Sequence, residues 1–264
     1  MRLILLPLLL LACLPRAYAQ WPAATLDEAV SKARANIRIY RESIPDFSCD
    51  EFIDSQRLEG TIVKDEMKVE SAFRMTRGSN HEMQESRTGK LLNGKPSTAR
   101  RVSLPYSFTG GFVDVLQSLG SACIDFRFGV LGAGEPNGNI VVFGASKPAS
   151  TTESKCSGEK RESKILIDPV SFQILQLDMT YHDLHLKPNL MARLFAAMPS
   201  DHNVVKTTIT YAPTTLGDRT FWLPTAIENT LSDTTKPTSF RYRASYSNYH
   251  RYTATSTIVP TVSQ

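Results

Sequence analysis

The sequence predicts a mainly β protein of the α+β class: one curved antiparallel sheet or half-barrel of about ten strands, with N-terminal, middle and inserted helices. The clearest evidence is the stretch 161–181, where two runs of alternating apolar and polar side chains are joined by a turn at Asp168 and Pro169. The same alternation recurs in 66–75 and 240–247. Because neighbouring strands twist by roughly 20 to 25 degrees, a sheet of this width has to curl.

Residues 1–19 are typical of a secretory signal peptide, with an early positive charge, an apolar run and small residues before Gln20. We expect cleavage after Ala19 and a periplasmic or secreted mature protein. Lipidation at Cys13 is the alternative, because the preceding residues approximate the box found before a lipidated cysteine. No later stretch has the ~18 apolar residues of a membrane span, so no transmembrane span is expected.

Residues 20–264 are expected to form a single β-rich half-barrel domain, since no linker, repeat or low-complexity run divides them. The net charge of +4 includes two arginines of the leader, so the mature chain is only slightly basic. No aromatic-basic recognition motif occurs, and nucleic acid is not an expected partner.

The first predicted element is a helix that Thr25 caps, with Glu28 completing a capping box. Apolar residues recur at helical spacing as far as Tyr40, and the helix should stop near Ile44 and Pro45. One face is expected to pack on the sheet. The basic outer face is either solvated or touches anionic lipid or a partner.

The remaining elements follow from alternation and turn residues. Asn93 and Gly94 form a hairpin-type turn, and a glycine-rich loop over 129–139 lacks any phosphate-binding motif, so it is read as a hairpin loop. A short amphipathic helix is predicted after Gly111. The predicted strands outside the central hairpin are 47–58, the long strand after Gly60, 81–88, 122–130, 139–147, 204–211, 219–231 and 240–252.

A further helix is predicted over 188–199, inserted between strands. Unbranched methionine side chains can repack around varied shapes, so this helix either closes a hydrophobic cavity or fills the core. The candidate ligand-binding residues are those on this helix and on the second strand of the central hairpin. They are Leu190, Met191, Leu194, Phe195, Met198, Leu175, Leu177 and Met179.

The mature chain has three cysteines, Cys49, Cys123 and Cys156. In an oxidising compartment we expect one disulfide and one leftover thiol, and the favoured pair is Cys123 with Cys156, which begin two predicted strands at the same end of the sheet. Because those strands are separated by a third, the bond requires bent strand ends or an intervening loop. The alternative role for Cys49 is that of a reactive nucleophile.

Catalysis has little support in the sequence. His182 and His185 lie three residues apart, which on a strand places them on opposite faces. Zinc-protease and serine-hydrolase motifs are absent. The expectation is therefore a protein that is not an enzyme, with no metal and no cofactor.

The order of elements and several short motifs resemble a group of secreted bacterial proteins of unassigned function. That group is similar in layout to the lipoprotein-carrier superfamily, LolA-like and LppX-like, in which a curved half-barrel wraps an apolar cavity closed by helices and accepts acyl chains. No catalytic residue transfers from this resemblance. The motifs are Ile44-Pro45-Asp46-Phe47-Ser48-Cys49, Leu91-Asn93-Gly94-Lys95, Ile167-Asp168-Pro169, Trp222-Leu223-Pro224 and Tyr246-Ser247-Asn248-Tyr249.

The sequence thus predicts a non-catalytic periplasmic protein that binds or carries an apolar ligand, a lipid or a lipoprotein acyl chain. The alternative is a cell-envelope protein-interaction module with a filled core and no ligand, binding an envelope protein through a sheet edge or the apolar helix.

Overall fold

The computed structural model describes residues 25–78, 83–96, 123–128, 138–147, 160–182 and 202–252. These residues form one helix and a single antiparallel sheet of eleven strands, which confirms the predicted fold class. The elements are α1 (Leu26–Ser43), β1 (Phe47–Glu59), β2 (Ile62–Arg77), β3 (Met83–Leu92), β4 (Lys95–Pro96), β5 (Ile124–Phe128), β6 (Ile140–Ser146), β7 (Lys160–Ile167), β8 (Ile174–His182), β9 (Asn203–Leu216), β10 (Arg219–Asp233) and β11 (Thr238–Arg251).

The strands lie in the order β4-β3-β2-β1-β11-β10-β9-β8-β7-β6-β5. Every neighbouring pair is consecutive in the chain except β1 and β11, which pair over nearly their full lengths from Phe47 opposite Arg251 to Glu59 opposite Thr238. The sheet is therefore two meanders joined by its first and last long strands. Its ends, β4 and β5, do not pair with each other, so the sheet is open.

Helix α1 begins and ends where its capping residues predict. The Thr25 hydroxyl accepts a hydrogen bond from the Glu28 backbone N–H at 3.2 Å, and the helix stops at Ile44, before Pro45. A cap of this kind contributes about 1 kcal/mol to helix stability. The face of α1 that packs in the core carries Ala29, Ala33, Ile37 and Tyr40, all buried.

Two turns show how local sequence fixes the register. Asn93 and Gly94 both have positive φ, 48° and 75°, which gives the hairpin geometry expected between β3 and β4. In the central hairpin the Asp168 carboxylate accepts hydrogen bonds from the N–H groups of Val170 and Ser171 at 3.1 and 2.7 Å. Although partial burial opposes it, these bonds lower the pKa of Asp168.

The structure differs from the predicted alternation at the start of β8. Leu166 pairs with Gln176 and Ile167 pairs with Ile174, so Leu175 is the extra residue of a β-bulge. Ile174 is buried and Leu175 only half-buried. The third predicted strand also differs, since β3 runs on to Leu92.

The predicted helices after Gly111 and over 188–199 lie outside the described residues. Of the helical residues that are described, none forms a stretch both long and apolar enough to cross a membrane.

Candidate functional site

The candidate site is the inner face of the sheet, by which we mean the face that carries its buried side chains. One row of directly opposed residues crosses this face through eight strands, and every member is apolar and buried. At ~4.8 Å per strand the row spans about 34 Å. In spatial order the row consists of Val69, Ile53, Ala244, Ile227, Ile209, Leu177, Ile165 and Val142.

A second row lies two residues away from the apolar row on each strand, and most of its members are polar. At its centre the buried Asn229 side chain donates a hydrogen bond to the Thr207 hydroxyl at 2.6 Å. Ser163 donates to the backbone oxygen of Gly144 at 3.4 Å. These bonds satisfy polar groups that would otherwise be costly to bury. The row consists of Ser55, Tyr242, Asn229, Thr207, Met179 and Ser163.

A buried ion pair lies on the other side of the apolar row. Glu51 of β1, whose side chain is 0% exposed, accepts hydrogen bonds from the Ser71 hydroxyl at 2.7 Å and from Arg87 Nε at 2.9 Å. The Arg87 guanidinium also lies 4.8 Å from the centre of the Phe73 ring. Although burial opposes it, attraction to Glu51 raises the pKa of Arg87. The pair is a fixed polar point beside the apolar row.

Sequence analysis did not single out Glu51. A signal was present, because Glu51 falls in phase with Phe47, Cys49 and Ile53, which point inward on the same strand. A carboxylate at such a position requires a cationic or donor partner. Arg87 could not be chosen as that partner from the sequence, since it lies 36 residues away on a strand that is not adjacent to β1.

Cys49 lies in the same region and is buried without a disulfide. Burial, reinforced by the nearby Glu51 carboxylate, raises the pKa of the Cys49 thiol to about 12. The thiol is therefore protonated near neutral pH, unlike the thiolate of a nucleophilic cysteine.

The other cysteine among the described residues, Cys123, takes part in a disulfide. Its partner is not among the described residues, so pairing with Cys156 stays a prediction.

A small cavity of about 20 Å³ lies between α1 and the inner face. Tyr40 of α1 and Tyr211 of β9 line its interior and are buried, whereas Asn36, Gln173 and Trp222 are half-buried and form its mouth. This volume holds about one water molecule. The contact between α1 and the sheet is thus nearly filled.

A larger open groove of about 520 Å³ runs along another side of α1. Val30 and Ala35 supply its apolar lining, and Arg34 and Arg38 supply positive charge. The Arg34 guanidinium lies 5.3 Å from the centre of the Phe126 ring. Arg34 and Arg38 belong to the basic outer face of the helix, for which the sequence allows either a solvated role or a contact with anionic lipid or a partner.

The structure places three of the predicted ligand-binding residues. Leu177 and Met179 are buried on the inner face, in the apolar and the polar row respectively, and Leu175 is half-buried at the bulge. The other five lie outside the described residues: Leu190, Met191, Leu194, Phe195 and Met198.

His182 is the last residue of β8, and His185 lies outside the described residues. In the part of the chain that the structure describes, no three His, Cys, Asp or Glu side chains are grouped so that they could hold a metal ion.

Comparison with known proteins gives likenesses in structure but not in sequence. No protein-family model and no curated protein matches the chain. Among solved structures, a domain assigned as an outer membrane lipoprotein-sorting protein from Vibrio parahaemolyticus matches at TM-score 0.42 and 10% identity, over 83% of this chain and 92% of that one. A LolA superfamily protein from Nitrosomonas europaea matches at TM-score 0.36 and 12% identity, over 88% of this chain and 96% of that one.

Both of these solved structures carry descriptions from the superfamily that the sequence resembles.

Proposed function

We propose that the protein is a non-catalytic carrier, periplasmic or secreted, that binds an apolar ligand such as a lipid or a lipoprotein acyl chain on the inner face of its sheet. The observation that supports this most is the uninterrupted apolar row from Val69 to Val142, beside a polar row and the Glu51–Arg87 pair. A mostly apolar surface with a few fixed polar groups is the usual composition of a ligand site.

The gain from such binding is large enough to be useful. Burying about eight methylenes at ~0.8 kcal/mol each gives roughly 6 kcal/mol before ordering costs. The cavity of about 20 Å³ between α1 and the inner face is too small for an acyl chain, so a chain that binds at this point requires α1 to move away from the sheet.

The attachment of α1 is compatible with such movement. Two of its four buried core residues are alanines, Ala29 and Ala33, which bury little apolar area. The polar contacts that tie the helix to the sheet and its turns include two hydrogen bonds between described residues, besides the contacts of Lys32 with the Phe172 ring and of Arg34 with the Phe126 ring. Asn36 donates to the Ser171 backbone oxygen at 2.9 Å, and Arg219 donates to the Ser43 hydroxyl at 3.3 Å. Hydrogen bonds of this kind contribute about 1 kcal/mol each.

The test is uptake of a fluorescent fatty acid by the mature protein, with equilibrium and stopped-flow readings. Asn36→Ala removes one tether and should speed uptake several-fold. Glu42→Ala, an exposed substitution on the same helix that lines neither the cavity nor the groove, should leave the rate unchanged. Absence of saturable uptake by the wild type would refute the carrier.

The alternative is an envelope protein-interaction module with a filled core. The nearly filled contact beneath α1 favours it. This function predicts that added lipids neither bind nor raise the melting temperature, and that a protein from the cell envelope co-purifies with the chain.

A further inference from the structure

Two buried hydroxyls beneath α1 have no assigned purpose. Tyr40 is 8% exposed and Tyr211 is 5% exposed, and both line the cavity between α1 and the sheet. Within the described part of the chain, neither hydroxyl has a hydrogen-bond partner. A buried polar group left unsatisfied in this way is unusual in a folded protein, and it points to a guest that supplies the missing bond.

Both phenols are hydrogen-bond donors at physiological pH. Burial raises the pKa of Tyr40, reinforced by the Glu85 carboxylate, and burial likewise raises the pKa of Tyr211. A guest between them therefore needs an acceptor oxygen.

The charges around the cavity further limit which chemical class of ligand it can hold. The described residues that line the cavity include no charged side chain. The negative Glu85 carboxylate acts on the Tyr40 hydroxyl. A carboxylate would enter without a cationic partner among the described residues that line the cavity, so a neutral acceptor fits better.

The size and the mouth of the cavity indicate how such a guest would sit. About 20 Å³ accommodates one oxygen atom, about the size of a water molecule, but not a chain. The half-buried Asn36, Gln173 and Trp222 mark the more exposed side of the cavity, from which a carbonyl group would enter. Trp222 offers an apolar ring surface for an alkyl group there.

We propose that Tyr40 and Tyr211 form a polar clamp for one neutral carbonyl oxygen, such as the ester carbonyl of an acyl lipid. This inference rests on the proposed function and deepens it, because it places the ester of the ligand beneath α1.

The experiment compares three small ligands with the mature protein: methyl octanoate, sodium octanoate and n-octane at saturation. Calorimetric titration gives Kd for the first two, and the shift in melting temperature reports octane binding. The wild type should bind methyl octanoate more tightly than octanoate. Tyr40→Phe and Tyr211→Phe should each raise the Kd for methyl octanoate about tenfold, the loss of one hydrogen bond of about 1.4 kcal/mol, and leave the octane shift unchanged.

Tyr249→Phe is the matched control, because the Tyr249 hydroxyl already donates to the Pro224 backbone oxygen. It should lower the melting temperature of the ligand-free protein. Tyr40→Phe and Tyr211→Phe should leave that temperature equal or higher. If they lower it as Tyr249→Phe does, the hydroxyls serve the fold and the clamp is refuted.

The two proposals can fail separately. If octane and methyl octanoate both bind, but neither Tyr40→Phe nor Tyr211→Phe raises the Kd for methyl octanoate, the carrier proposal is retained and the clamp is refuted. Tighter binding of octanoate than of the ester would overturn the assignment to a neutral carbonyl. If none of the three ligands binds, the carrier and the clamp are both refuted.

Discussion

Glu51 and Arg87 form an ion pair on the inner face of the sheet, with 2.9 Å between Oε2 and Nε, although a whole strand lies between β1 and β3. The Glu51 side chain is 0% exposed, whereas Arg87 retains 30% exposure. The pair therefore combines a fully desolvated carboxylate with a cation that still reaches solvent. The desolvation of Glu51 is costly, and the attraction and the bond from Ser71 offset that cost.

Glu51→Ala should lower the free energy of unfolding by about 3 kcal/mol, because it removes the fully buried partner of Arg87 and leaves that guanidinium with the more distant Glu85 carboxylate, at 3.4 Å. Urea denaturation measures the change. Glu228→Ala is the matched control, since Glu228 pairs with Arg243 while 61% exposed, and it should cost no more than about 1 kcal/mol. Equal losses in the two variants would contradict the structural role given to Glu51.

Gly144→Ala should destabilise the sheet by about 1 to 3 kcal/mol through overpacking. An added Cβ would lie 2.5 Å from the Ser163 Oγ and 3.0 Å from an Ile124 methyl carbon. Adding Ser163→Ala removes the nearer atom, so the double variant should be more stable than the sum of the two single losses predicts. Strict additivity would show that the two residues do not contact each other in the folded state.

Cys49 should resist thiol reagents in the folded protein at pH 8, since its pKa is raised to about 12 and its side chain is buried. The same protein in denaturant should react fully. Rapid labelling of the native state would contradict the buried, protonated thiol.

The raised pKa of Cys49 also predicts a pH dependence. The Cys49 thiol has a pKa of about 12 in the folded protein, against an ordinary value of 9.0. The protonated thiol therefore contributes its full stabilisation of the folded state below pH 9, and this contribution is lost as the pH rises toward 12. Unfolding free energies measured from pH 8 to 11 should fall more steeply for the wild type than for Cys49→Ala. The buried tyrosines contribute to the pH dependence of the unfolding free energy in both proteins. The difference between the two proteins therefore reports the contribution of the Cys49 thiol.

Cys123 should be joined to Cys156 in the mature protein. Under non-reducing conditions the unfolded chain should then present one reactive thiol, that of Cys49, and three after reduction. Peptide mapping would identify the pair directly. A peptide that links Cys123 to any other cysteine would show the pairing to be wrong.

Local signals in the sequence were sufficient for the elements themselves. Thr25 and Glu28 predicted the start of α1, and the positive-φ pair Asn93 and Gly94 predicted the hairpin between β3 and β4. Along β11, the alternating set from Phe240 to Tyr246 is buried as predicted. These features depend on residues close together in the chain, so the sequence carries them without knowledge of the fold.

Features that depend on long-range pairing were not predictable in the same way. The sequence of β1 does not indicate that β11 is its neighbour. The bulge at Leu175 depends on how β8 pairs with β7, and the alternation of apolar and polar residues within β8 does not predict it. The Glu51–Arg87 pair and the meeting of Tyr40 with Tyr211 require that arrangement of strands as well. The candidate site is built from such contacts, and this is why the sequence predicted its apolar character but not its polar groups.

The central claim is that an apolar ligand occupies the inner face beneath α1. Its most direct test is organic extraction and mass spectrometry of the mature protein, purified from a periplasm without detergent. The carrier predicts a stoichiometric lipid in the extract. A protein that is empty, and whose melting temperature does not rise when acyl lipids are added, would contradict the claim and favour the interaction module.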